Sequence, residues 1–150
     1  MFLNIIFIII IFYFLYLIYY LRETTLDKKK ELQLDILKDG IMKINHKQDI
    51  LEKLPKGYQF LKYKYSIKGC TLSTFHRDVT SSQYIFKTKH PVYTYIKYGN
   101  KGPHLSFCPN SHFTTPFVFS RPKTILGEKG DSYIFNCDMV HAGAINDYGK

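Results

Sequence analysis

Thr74-Phe75-His76-Arg77-Asp78-Val79-Thr80 sets an imidazole and a carboxylate two residues apart. In an extended strand, residues i and i+2 project from one side of the sheet, so His76 and Asp78 point one way and Arg77 the other. That pair forms one edge of a facial metal triad, and a second histidine from elsewhere completes it. Two histidines and one carboxylate with open coordination positions mark non-haem Fe(II) sites. The downstream histidine that suits the role is His141, in Asp138-Met139-Val140-His141-Ala142-Gly143. The pair alone is a weak signal. With six His and twelve Asp or Glu in 150 residues, a chance His-x-acid is roughly an even bet. Taken singly, His76 is equally an ordinary strand residue and His141 a core or surface histidine.

The texture around this stretch is that of short strands. Tyr58–Ile67 is aromatic, β-branched and partly alternating. Further strands are expected at Gln83–Lys87, Val92–Tyr98, His104–Cys108, Phe117–Phe119 and Asp131–Asn136, separated by Gly, Pro and Asn breakers. Upstream, Glu31–Gly40 reads as a short amphipathic helix, and His46–Leu54 as a second one stopped by Pro55 and Gly57. The expected fold class is mainly β, an antiparallel sandwich or barrel with a short N-terminal helical layer, over residues 31–150.

Residues 2–21 hold no charge, and Asn4 is their one strongly polar side chain. A helix of that length spans about 30 Å, the thickness of a bilayer core. The expectation is a transmembrane anchor touching the lipid bilayer. No basic stretch precedes it and no small-residue cleavage site follows, as a signal peptide would require. Residues 22–30 form a charged juxtamembrane linker. Arg22 and Lys28-Lys29-Lys30 follow the apolar run, which by the positive-inside rule puts the C-terminal domain of a single-pass membrane protein in the cytoplasm. The three lysines suit anionic lipid.

The formal net charge is +9. Lysines are scattered among Asp and Glu across the domain, which disfavours nucleic acid as a partner. The basic stretch Lys62-Tyr63-Lys64-Tyr65 has the look of a solvated strand face. Cys70, Cys108 and Cys137 are an odd set without CxxC spacing, so neither a disulfide framework nor a zinc site is indicated. His76-Arg77-Asp78 lacks the Gly-rich loop and DFG of a kinase, and no P-loop or GxSxG is present.

Three segments, in order, resemble the phytanoyl-CoA dioxygenase-like branch of the Fe(II)/2-oxoglutarate-dependent oxygenases. Phe75-His76-Arg77-Asp78 matches the family's HxD. Asn100-Lys101-Gly102-Pro103-His104-Leu105-Ser106-Phe107-Cys108-Pro109-Asn110-Ser111-His112 is similar to its N-G-P-L-x-x-x-P-G-S-H loop, with one inserted lysine and Asn110 for glycine. Gly130-Asp131-Ser132-Tyr133-Ile134-Phe135-Asn136 and Val140-His141-Ala142-Gly143-Ala144-Ile145-Asn146 are similar to its G-D-x-x-x-F strand and H-x-G-x-x-N.

The resemblance implies a double-stranded β-helix, a jelly-roll barrel whose mouth holds iron. It implies that His76, Asp78 and His141 bind Fe(II), with 2-oxoglutarate as cosubstrate and hydroxylation of an unidentified small-molecule or protein substrate. The alternative is a catalytically inactive protein using the barrel as an interaction scaffold. Family members place an Arg about ten to twelve positions after the distal histidine, where its fork grips the far carboxylate of 2-oxoglutarate. That position falls beyond Lys150, as do the last barrel strands. His104 and His112 are expected to be non-ligands, and nothing singles out His46 or His90. Asp138 is expected to be an exposed turn residue, with a supporting role beside the metal as the alternative.

Overall fold

The structure is a computed structural model, and it describes residues 2–21, 24–61, 64, 66, 74–113 and 121–143. The expected strand Phe117–Phe119, residues 62, 63, 65 and 67 of the expected strand Tyr58–Ile67, Cys70, Arg22, Ala144–Asn146 and Lys150 lie outside the described residues.

Two sheets carry the core. One has the order β1 (Thr24–Thr25), β5 (Lys123–Gly127), β4 (Gly102–Phe107), β7 (His141–Gly143). The other has the order β2 (Ile41–Ile44), β6 (Ser132–Asn136), β3 (Tyr93–Lys97). All pairings are antiparallel except β1 with β5. Alternation along β6 sends Tyr133 and Phe135 inward against Ile41, Leu105, Phe107, Ile125 and Met139. Ile134 faces the opposite side, against Ile36, Ile44, Ile50 and Leu54. Phe107, Ile125, Tyr133 and Met139 are fully shielded, and each such side chain contributes about 1.5–3 kcal/mol of burial.

The mainly-β, jelly-roll expectation is corrected. Among the described residues the architecture is mixed α/β, with seven strands in two separate sheets and four α-helices: α1 (Phe2–Leu21), α2 (Lys28–Glu31), α3 (Ile50–Lys53) and α4 (Gln83–Phe86). Tyr58–Leu61 form no strand. Gln83–Phe86, expected extended, is helical because Asp138 reaches in to accept the Gln83 amide at 2.9 Å. Lys87 then ends the turn in the left-handed region, at φ 51°.

Glu31–Gly40 does not continue as a helix. Asp27 caps α2 by accepting the Lys29 amide at 2.8 Å, but Asp35 then captures the amides of Leu37 and Lys38 at 2.9 and 2.8 Å. Such side-chain capture competes with helical hydrogen bonding. Gly40 takes φ +82° and leads into β2, its missing Cβ leaving room for the His112 ring. The helix expected near His46–Leu54 is present as a 3₁₀ turn, Lys47–Asp49, followed by α3.

The expected membrane anchor, and with it the single-pass localisation and cytoplasmic placement, is also corrected. Among the described residues, no helix is long and apolar enough to cross a membrane. The large apolar side chains of α1 from Ile5 to Tyr16, with Ile18, stand 40–68 % exposed.

Candidate metal centre

The first sheet reaches its edge at β7, and His76 adds one more bridge there. The His76 amide donates to the His141 carbonyl and the His141 amide to the His76 carbonyl, both at 2.9 Å. This reciprocal pair sets the two residues directly opposite each other, with side chains on one face. Their ring centroids are 4.5 Å apart. Two residues on, the Asp78 amide donates to Cys137 O at 2.9 Å, just past the end of β6 in the second sheet. The stretch 76–78 therefore stitches the two sheets together. It is not the regular strand expected, since a 3₁₀ turn, Val79–Ser81, begins at once. The same-side placement of His76 and Asp78 survives in this single bridge.

Asp78 Oδ1 lies 3.7 Å from His76 Nε2 and 3.6 Å from His141 Nε2. One donor atom from each of the three residues lies within 4.8 Å of the others. Asp78 Oδ2 is turned away, accepting from Thr94 Oγ1 at 3.3 Å. His76 Nδ1 meets Thr74 O and His141 Nδ1 meets Met139 O, each at 2.8 Å. A carbonyl only accepts, so each Nδ1 carries a proton, and in the neutral imidazole Nε2 then holds the lone pair. With both rings neutral, three lone-pair atoms converge. A cation is the chemical complement of that arrangement.

The donor set fits a first-row divalent metal. Donors about 2.0–2.2 Å from an ion in such sites stand about 3.0–3.5 Å apart, so small rotations close the gap. Imidazole and carboxylate suit iron, and carbonyls that fix the distal ring nitrogens are usual companions of metal-binding histidines. Burial holds His141 below the ordinary histidine range, opposed by the Met139 carbonyl and Asp78. It is therefore neutral at pH 7, and its contact with Asp78 is not an ion pair despite the short distance. Phe135 walls the site, its ring centroid 4.6 Å from that of His141. Cys137 is close but not thiolate-like, because burial pushes its thiol up to about 11. His76 and Asp78 remain about 30 % exposed, and His141 is buried, so the donors open to solvent on one side.

Asp138 is not the exposed turn residue expected. It is 1 % exposed. Its carboxylate accepts from Ser82 Oγ and from the Gln83 amide. Its carbonyl accepts from Arg77 Nη1 at 2.8 Å, and its amide donates to Asn136 Oδ1 at 2.8 Å. It clamps the segment bearing His76 and Asp78 to the turn that presents His141. The motif Asp-x-x-His was the sequence signal for it.

The other histidines lie elsewhere. His104 stacks on Tyr98 at 4.0 Å with an interplanar angle of 4° and bonds Asn100 O through Nε2. His112 bonds Leu37 O through Nε2 at 3.1 Å. His46 and His90 are exposed. Sequence reasoning missed a charged cluster inside the sandwich. Lys43 Nζ lies 2.9 Å from both Glu31 Oε1 and Asp131 Oδ2, and Tyr133 donates to Glu31 Oε1 at 2.8 Å. An inward lysine on a strand leaves no mark in a hydropathy pattern.

No family model, no curated protein and no solved structure matches this chain. What the site can do rests on its own geometry.

Proposed function

We propose that the chain is a non-haem Fe(II) oxygenase of the 2-oxoglutarate-dependent kind, with His76, Asp78 and His141 as the iron ligands. The observation that carries this reading is the convergence of two imidazole lone pairs and one carboxylate oxygen on a single point, each histidine fixed by a backbone carbonyl. When bound, Fe(II) supplies activation of O₂ and, with 2-oxoglutarate, oxidation of a substrate C–H bond.

The residues of this chain have simpler tasks. His76 and His141 present Nε2 in the neutral, ligating tautomer. Asp78 supplies one negative charge through Oδ1, while Thr94 steadies Oδ2. Phe135 and buried His141 exclude water from the inner side. The half-exposed faces of His76 and Asp78 leave an approach for cosubstrate and substrate. The choice of 2-oxoglutarate rests on the resemblance of the HxD, loop and distal-histidine segments.

The test is succinate formation by the purified protein with Fe(II), 2-oxoglutarate and O₂. Slow turnover without added substrate is expected, and it disappears in Asp78→Ala. Iron binding without succinate above the metal-free control would reject the oxygenase reading while leaving the metal site in place.

A further inference from the structure

On the outer face of the second sheet lies a cavity of about 250 Å³, away from the metal donors. The strand alternation separates the two sites. Thr94 and Phe135 face the histidines, whereas their neighbours Tyr93 and Asn136 line the cavity. That volume is room for about eight waters, or one small ring system. Its walls are rings, from Tyr84, Tyr93, His112 and Phe113. The hydroxyls of these walls are already engaged, Tyr84 donating to the His112 carbonyl and Tyr93 meeting Tyr58.

Three polar atoms on residues lining this cavity are not engaged among the described residues; His112 Nδ1 is buried against Gly40, and the other two belong to Asn136 and Gln83. Asn136 Oδ1 accepts the Asp138 amide at 2.8 Å. That bond fixes which arm of the side chain is oxygen, and it leaves Nδ2 without a partner among the described residues. Gln83 is the mirror case. Its Nε2 donates to Thr88 O at 3.2 Å, which leaves Oε1 as a free acceptor. Flat apolar walls with one donor and one acceptor form the pattern of a small-ligand site.

We propose that this cavity binds a planar heterocycle through a lactam edge, its carbonyl accepting from Asn136 Nδ2 and its ring N–H donating to Gln83 Oε1. The aromatic side chains take its faces. The site is separate from the metal centre and does not depend on metal being bound. The Asn136 side chain and the Gln83 backbone amide both bond Asp138, so an occupant sits beside the residue that clamps the segments bearing the candidate metal ligands.

Uracil is the probe, titrated into the metal-free full chain and followed by NMR of the tyrosine and histidine rings. Saturable binding in about the millimolar range is expected for so small a ligand, with the Tyr84 and Tyr93 signals moving. 1,3-Dimethyluracil, which lacks the N–H groups, should bind at least tenfold more weakly. Asn136→Asp keeps Oδ1 and removes the donor, and Gln83→Met keeps the stem and removes the acceptor. Each should weaken uracil at least tenfold. If Asn136→Asp lowers the unfolding temperature, the partly exposed Gln83→Met decides. Absence of saturable binding, equal binding of the dimethyl compound, or indifference to Gln83→Met overturns the proposal.

Discussion

Asp138 holds more of the metal centre's geometry than its place in a turn suggests. It bonds a hydroxyl and two amides and receives a guanidinium on its carbonyl, all while 1 % exposed. Asp138→Ala strips the acceptor from Ser82 and Gln83, and hydrogen bonds to a buried carboxylate contribute about 1.5–3 kcal/mol each. We expect a loss of about 2–4 kcal/mol in urea unfolding and a tenfold to hundredfold weaker metal affinity, with Asp138→Asn retaining most of both. The sequence showed Asp138 three residues before His141, but its burial depends on Ser82, 56 positions away. No local pattern encodes that contact. His76, Asp78 and His141 were singled out by the His-x-Asp spacing together with the resemblance of the surrounding segments, and their meeting rests on the His76–His141 bridge, which no local pattern encodes. A second residue-scale test is Gly127→Ala. A Cβ there would stand 2.2 Å from His104 Nδ1, and the ring cannot swing away because Tyr98 stacks on it and Asn100 O holds Nε2. Overpacking of this kind costs about 1–3 kcal/mol, read as a drop in the unfolding midpoint.

Among the elements, strands with clear alternation were readable, and those set by distant partners were not. Tyr93–Lys97, Gly102–Phe107 and Ser132–Asn136 fall where aromatic and β-branched residues alternate between breakers. Ile41–Ile44 and Lys123–Gly127 were missed. The first places Lys43 inward, which pays only because Glu31 from α2 and Asp131 before β6 meet it. Burial pulls the Lys43 ammonium down, but the bonds to Asp131 and Glu31 more than offset it and its pKa is raised. Tyr133 is pushed far above the usual phenol range by burial and by Glu31. Lys43→Met leaves two carboxylates facing each other and should cost about 3–5 kcal/mol, with part recovered by adding Glu31→Gln. The histidine on the loop after β4 gives a pH test. Burial holds His112 below its usual 6.5, so the unfolded chain takes up the proton first. Its contribution to stability is full above pH 6.5 and is lost as pH falls through the lower folded value. Unfolding curves from pH 8 to 5 should show stability falling below about pH 6.5. His112→Gln should flatten that fall, leaving the slope due to His141, which is shifted the same way.

At the scale of the whole molecule, the two sheets meet at the stretch from His76 to Asp78, bonded to β7 on one side and to the end of β6 on the other. A metal bound there would tie both sheets at once, and it would bind the folded chain alone because the donors are dispersed when unfolded. Iron at a hundred times its dissociation constant should raise stability by about 2.7 kcal/mol, an upward shift of several degrees in unfolding temperature, absent in Asp78→Ala. The class expected from the sequence, mainly β, was wrong, though individual strands such as Tyr93–Lys97 and Ser132–Asn136 were visible. Of the helices, α1 falls where a helix was expected over residues 2–21, whereas α4 went unseen because its cap comes from Asp138, and Asp35 stops the helix that the apolar spacing of residues 31–40 suggests. The most direct test of the metal centre is anaerobic calorimetric titration of the full chain with Fe(II). One equivalent should bind, with affinity at least a hundredfold weaker in both His76→Ala and Asp78→Ala while their folded content is unchanged. Undiminished iron binding in those two variants, or none in the parent chain, would contradict it.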